Sequence, residues 1–493
     1  MKLAFDNEKY LELQKENILK RVSKFSGKLY LEFGGKLFDD YHASRVLPGF
    51  LPDSKLRMLL QIKDKVEVII VINANDIQEN KIRGDLNISY ESEVLRLIDA
   101  FRDSGLYVGS VCITRYQALP SVLCFRRKLN NLGVKTYLCY DIPGYPHDVE
   151  NIISDKGFGR NEYIETSREV VVVTAPGPGS GKLATCLSQL YHENKRGIKA
   201  GYAKYETFPI WSINLKDPVN LAYEAATADL ADVNMIDPYH LEAYGKMAVN
   251  YNRDVESFPV LKSMFEAIYG SSPYNSPTDM GVNMAGFAIC DDEAAKEASK
   301  NEIIRRYLNS LVDLRNGKIK QEAVDKIALL MRQLEVSVDN RKCVKPALEK
   351  RDKTGTVSMA MELPDGTIVD AKTSALLSAP AALILNALKS LAGIKDSMML
   401  ISRSIIEPIS EMKIKNLGNK NPRLHADETL IALAISAQTN PLAEIAMKEL
   451  PNLAFCQAHA TVILPESDLT VYKKLKIDVT TEPEFYAKKL YIK

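Results

Sequence analysis

The chain has 493 residues, 46% apolar and 26% charged, which is too long for a single hydrophobic core and too ordinary in composition for disorder. Lys and Arg number 64 against 63 Asp and Glu, so there is no basic excess to attract a polyanion, and a nucleic-acid partner is not expected. Acidic residues interrupt the N-terminus before a signal peptide could develop, the apolar runs fall far short of the ~18–20 residues that span a bilayer, and seven cysteines lie scattered without a CxxC pair; a cytoplasmic chain with reduced thiols and no membrane partner is expected.

From Lys28 to Tyr205 short apolar runs alternate with amphipathic stretches. Lys28–Phe33, Val66–Ala74, Val108–Arg115, Lys135–Asp141, Val170–Thr174 and Lys199–Tyr205 read as strands buried on both faces. Tyr90–Ser104 and Leu119–Leu132 read as helices closed by Gly105 and Gly133. The pattern predicts a doubly wound α/β domain over residues 1–212. Beyond Trp211, the segments Asn220–Asp229, Ser257–Tyr269 and Asp291–Val336 have helical periodicity, so a helical domain is expected over 213–343, with a polar loop at Ser271–Gly281 able to close over a substrate. A second α/β domain is expected over 344–493. Its elements are a hairpin of Thr356–Glu362 and Thr367–Ala371 around Pro364-Asp365-Gly366, a helix at Thr373–Ala392, a strand at Met398–Ile405, a helix at Asp427–Ala437 and a strand at Ala460–Leu464.

The chemistry concentrates at Val170-Val-Val-Val-Thr-Ala-Pro-Gly-Pro-Gly-Ser-Gly-Lys182-Leu-Ala-Thr, a buried strand, a glycine-rich loop and a helix. Phosphate binding needs this order, because glycines let consecutive N–H groups turn toward an anion, the helix N-terminus adds positive potential, and a lysine reaches the outer phosphates. Gly177, Gly179, Ser180, Gly181 and Lys182 are the candidate phosphate-binding residues. Against the P-loop pattern G-x-x-x-x-G-K-[ST], Pro176 occupies the first glycine position and Leu183 the hydroxyl position. Thr185 lies about 200° around the helix from Leu183 and is no simple substitute for the Mg²⁺-binding hydroxyl. Glu224, Asp229 and Asp237 are candidate metal ligands in its place, since Mg²⁺ takes carboxylate oxygen. Both a phosphate cradle and a plain strand-to-helix turn remain open for the loop, as do metal ligation and a solvated helix face for the carboxylates.

The next strand carries Ala200-Gly-Tyr-Ala-Lys204-Tyr-Glu206-Thr-Phe-Pro209. With the glycine loop, this arrangement resembles the P-loop enzymes related to dethiobiotin synthetase and CTP synthase, in which the strand after the P-loop helix often presents a lysine to the active site. The resemblance implies that Lys204 is a second phosphate or substrate lysine; a strand-end lysine reaching solvent is the alternative. Gly34-Gly35-Lys36 and Asn73-Ala-Asn75-Asp76 follow strands and are expected at the same sheet edge if the first and fifth strands are neighbours. In the last domain His425 and His459 invite a zinc reading. The deaminase-like order of hairpin and helix, however, lacks the His-x-Glu and Pro-Cys-x-x-Cys that zinc deamination requires, so each is expected to be a cap or core histidine and not a ligand.

Leu31–Gly35, Thr174–Lys182, Gly201–Trp211, Asn220–Asp229, Tyr274–Met284 and Asn421–Ala434 together resemble a bacterial family known only as a domain of unknown function, eighteen forty-six. The resemblance covers nearly the whole chain; it implies a multidomain cytosolic α/β protein and names no reaction. The expected function is a nucleotide-dependent enzyme, an ATPase or an ATP-dependent ligase or kinase, taking ATP with Mg²⁺ and using Lys182 and Lys204 as catalytic cations. The alternative is an oligomeric protein that holds an anion or phosphorylated metabolite without turnover, and a metal-dependent hydrolase in the last domain ranks behind both. Homo-oligomerisation is expected from the long helical region.

Overall fold

Runs such as Val66–Asn73 and Val170–Thr174 are buried at every position, as strands must be when helices cover both faces of a parallel sheet. In the computed structural model, which describes residues 2–34, 37–84, 86–230 and 232–486, seven strands form this sheet. They are β1 (Leu29–Phe33), β2 (Val66–Asn73), β3 (Tyr107–Thr114), β4 (Lys135–Leu138), β5 (Val170–Thr174), β6 (Gly201–Tyr205) and β7 (Gly281–Val282). The order is β7-β6-β1-β5-β2-β3-β4, with every pair parallel. After β1 the chain builds outward through β2, β3 and β4, then returns to place β5 between β1 and β2 and builds the other way through β6 and β7. That reversal is the place where the strand ends of an open sheet leave a crevice for a ligand.

Helix α1 (Asn7–Lys24) precedes the sheet, α2 (Tyr90–Asp103) and α3 (Pro120–Asn131) link β2 to β3 and β3 to β4, α4 (Lys182–Lys195) links β5 to β6, and α5 (Asn252–Tyr269) lies between β6 and β7. Helix α2 starts where Ser89 accepts the Ser92 N–H, and it buries Val94, Leu97, Ile98 and Phe101 along one stripe. The segment 271–281 is not a loose lid: Tyr274 donates to the Tyr202 carbonyl at 2.5 Å and accepts from the Tyr202 amide at 2.9 Å, and Ser276 caps a short helix, Pro277–Met280.

The chain divides into two compact units, Lys2–Glu224 with Asp232–Ser299, and Ala225–Ala231 with Lys300–Lys493. The helical stretch expected as a separate domain over 213–343 is therefore shared between the two. The second unit holds a four-stranded sheet of β8 (Ser358–Glu362), β9 (Ile368–Lys372), β10 (Gln457–Ala460) and β11 (Asp478–Thr481) in the order β9-β8-β10-β11. The hairpin β8–β9 is antiparallel, as expected, and β10–β11 is parallel. Helix α6 (Ala379–Leu391) begins later than the sequence suggests, because Ser378 caps it and Pro380 fits its first turn. The strand expected at Met398–Ile405 is absent: Leu400 and Ile401 are buried from a loop, and helix α7 (Arg403–Lys415) follows. Helix α8 (Ala426–Ser436) lies close to its expected position, whereas the strand expected at Ala460–Leu464 falls earlier, at β10, and shares only Ala460 with it.

Candidate functional site

From the end of β5 the chain turns through Ala175–Gly181 into α4. A Cβ at Gly177 would lie 2.1 Å from the Tyr90 hydroxyl oxygen, so only glycine fits beneath that ring. Gly181 caps α4 with φ at 92°, left-handed backbone that a side chain disfavours. The loop's carbonyls are tied inward. Ser180, fully buried, donates to the Gly177 carbonyl at 2.9 Å, Thr114 at the end of β3 donates to the Ser180 carbonyl at 2.7 Å, and Asn73 at the end of β2 donates to the Gly179 carbonyl at 3.4 Å. The amides are left over. Among the described residues, those of Gly177, Gly179, Ser180, Gly181, Lys182 and Leu183 have no acceptor within the protein.

Of these residues Gly177, Gly179, Lys182 and Leu183 line a cleft of about 940 Å³ that also touches Glu32, Arg96, Lys204, Tyr251 and Asp254, while Ser180 and Gly181 sit behind its wall. Lys182 lines it half-buried and, among the described residues, has neither a hydrogen bond nor an ion pair. On one wall Arg83 and Arg96 converge on the fully buried Glu93, with Arg96 donating two bonds of 2.6 and 2.8 Å. On the other wall Lys204 is saturated. It pairs with Asp254, with the Tyr251 hydroxyl and, at 3.0 Å, with Glu206, and it lies 4.5 Å from the centre of the Tyr251 ring. Burial alone would lower its pKa, but Asp254, Tyr251 and Glu206 outweigh that and raise it well above the ordinary lysine value. Lys204 therefore stays charged and is unsuited to act as a base.

Residues 3–335 match the family described as domain of unknown function DUF1846, N-terminal, and residues 339–491 match its C-terminal counterpart. The chain belongs to this family. A UPF0371 protein of Streptococcus thermophilus is 56% identical over 492 residues, covering 100% of each chain, and one of Streptococcus pyogenes serotype M3 is 56% identical over 491 residues, covering 100% of this chain and 99% of its own.

In this family member the glycine-loop candidates Gly177, Gly179 and Lys182 line one cleft with Lys204, while Ser180 is buried within the loop and Gly181 caps α4. The three candidate metal ligands do not. Glu224 accepts from the Asn234 amide at 3.3 Å. Asp237 is buried as the cap of helix Pro238–Tyr244, where it accepts from the His240 amide at 3.0 Å and the Thr278 hydroxyl at 2.6 Å. Asp229 is exposed in a short turn assigned to the other unit. None of the three lines the cleft, and among the described residues no group of three His, Cys, Asp or Glu side chains could hold a metal; these carboxylates do not fit a Mg²⁺ ion. β1 and β5 are direct neighbours, so Gly34 does reach the cleft, while Gly35 and Lys36 lie outside the described residues. Asn73 caps a short helix and braces the glycine loop. His425 stands at a helix cap and His459 is buried in the core, the places expected of them. Sequence reasoning passed over Glu32, Tyr90, Thr114 and Asp254. The available signal for Glu32 was a single charge inside the apolar run Leu29-Tyr-Leu-Glu-Phe33.

Proposed function

We propose that the sheet unit binds the phosphates of a nucleotide, ATP in the first instance, and acts on them as an ATPase or an ATP-dependent ligase or kinase of the cytosol. The observation that carries the reading is the run of amides without acceptors from Gly177 to Leu183, beside an ammonium group that has no partner among the described residues. Buried or cleft-facing donors without partners are costly unless something accepts from them, and an anion does so best at the N-terminus of a helix. On this reading the loop amides hold phosphate oxygens and Lys182 neutralises the charge that builds as the terminal phosphoryl group departs. Lys204, held by two carboxylates, orders the far wall of the cleft. Mg²⁺ enters as the ion a nucleotide carries in solution, not as one held by Glu224, Asp229 and Asp237.

The test is calorimetric titration with ATP and ADP together with phosphate release, for wild type and Lys182→Ala. Wild type is expected to bind and turn over, and the variant to bind at least ten-fold more weakly; equal binding and equal turnover in both refute the reading. A second reading, binding without turnover, is favoured by Leu183, an apolar side chain that lines the cleft where a P-loop places its hydroxyl. Stabilisation of wild type against heat by ATP, with no phosphate released, selects it.

A further inference from the structure

Glu32 lies on β1, in register with Val173 of β5 on one side and Lys204 of β6 on the other. It is 9% exposed and lines the same cleft as the glycine loop. A buried carboxylate is normally paired with a cation or fully hydrogen-bonded. The nearest cation along the sheet is Lys204, but that ammonium is drawn away to Asp254, Glu206 and Tyr251. Glu32 keeps a single bond: its Oε2 accepts from the Tyr202 hydroxyl at 2.8 Å, and among the described residues Oε1 has no partner. One oxygen is thus fixed by a tyrosine and the other is free, at a strand end one step from the loop that bears the unpaired amides.

A free carboxylate beside an anion site repels the phosphate itself, so its place is next to a group that gives up a proton. We propose that Glu32 is a catalytic residue, the base that takes the proton from a water or hydroxyl nucleophile attacking the terminal phosphorus of the ligand on the glycine loop; this rests on the nucleotide reading above. A bond forms between the nucleophile oxygen and phosphorus, the bond from phosphorus to its bridging oxygen breaks, the bridging oxygen leaves with the electron pair, and the nucleophile's proton passes to Glu32 Oε1. Tyr202 is the positioning residue. The titratable groups around Glu32 are Tyr202 and Lys204 from β6, Glu206 just after it, Cys186 from α4 with Lys182 of the same helix lining the cleft, and Tyr145 from the segment after β4.

The experiment compares wild type, E32Q, E32D and Y202F, each given ATP and Mg²⁺ in water alone and with glycerol as a hydroxyl acceptor. E32Q is expected to bind ATP within two-fold of wild type, to lose roughly 100-fold or more in turnover, and to lose the acid-side limb of the pH–rate profile. E32D is expected to be slower yet keep that limb, which covers a failure of E32Q to fold, and Y202F is expected to shift the limb while retaining most of the rate. Binding failure in wild type overturns the nucleotide reading itself. With binding intact, the base role is overturned by wild-type turnover and pH profile in E32Q, by an E32Q that instead loses Mg²⁺ affinity, or by a wild type that transfers phosphoryl to neither water nor glycerol.

Discussion

In the C-terminal unit the buried side chains Lys413, His459 and Arg341 are bonded to the fold itself, whereas at the glycine loop consecutive donors are held open by it. Lys413 donates to Glu428 and to the Arg423 carbonyl, each at 2.6 Å. His459 lies between Thr480 at 2.9 Å and Glu482 at 3.2 Å, and burial pushes its pKa below the ordinary histidine value. Arg341, 1% exposed, donates to Gln457 and to the carbonyls of Ala458 and Asp478. At the sheet edge the loop carbonyls are satisfied by Thr114 and Asn73, and that fixation leaves the amides and Lys182 without partners among the described residues. Saturated clusters of the first kind hold a fold together; rigid unsaturated clusters of the second kind are built for something that arrives later.

Substitutions can break this contrast or sharpen it. The largest effect is expected from Lys204→Met, which strands Asp254 and Glu206 without their cation and is expected to cost about 3–5 kcal/mol in denaturant unfolding. Because the folded-state pKa of Lys204 is raised well above 10.5, its contribution is fully present below 10.5 and is lost only as pH rises through that higher folded value; wild-type stability near neutral pH therefore shows no titration from it. Arg341→Leu removes the guanidinium bonds to the carbonyls of Ala458 and Asp478, the first of which keeps the Thr480 hydroxyl as a donor, and is expected to lower stability by about 1–3 kcal/mol while ATP affinity stays unchanged, as denaturant unfolding and calorimetry would show.

Lys182→Ala is expected to do the reverse. Affinity falls by about 1.5–3 kcal/mol, the usual worth of a charged hydrogen bond, and the melting temperature of the ligand-free protein is unchanged. A large loss of stability in this variant would erase the distinction between the two regions. The smallest effect belongs to His425, whose pKa is raised by its 3.1 Å contact with Asp468. That contribution is fully present below about 6.5 and fades as pH rises through the raised folded value, so His425→Gln is expected to remove about 1 kcal/mol or less at pH 5.5 and less still at pH 8, read by urea unfolding at the two pH values.

Much of the sheet was legible because a strand covered on both faces must be apolar at successive positions, and runs such as Val170–Val173 have no other economical reading. Met398–Ile405 misled because apolar character alone cannot tell a strand from a loop that plugs a core. Strand β7 escaped notice since two residues carry no period, and its place at the sheet edge comes from pairing with Lys204 and Tyr205. Among candidate site residues, the glycine loop was readable from order and spacing, while none of the carboxylates Glu224, Asp229 and Asp237, neighbours in sequence, lines the cleft.

The amino-acid sequence by itself determined the alternation of strands and helices, the hairpin around Asp365-Gly366 and the glycine loop entering α4, because each rests on local backbone preference and on the period of apolar residues. Only the tertiary structure decided that, among the described residues, Lys182 is without a partner while Lys204 is engaged, and Glu32 Oε1 has none. Partners for a charge come from strands and helices far away in the chain, and a one-dimensional pattern carries no record of which of them arrive.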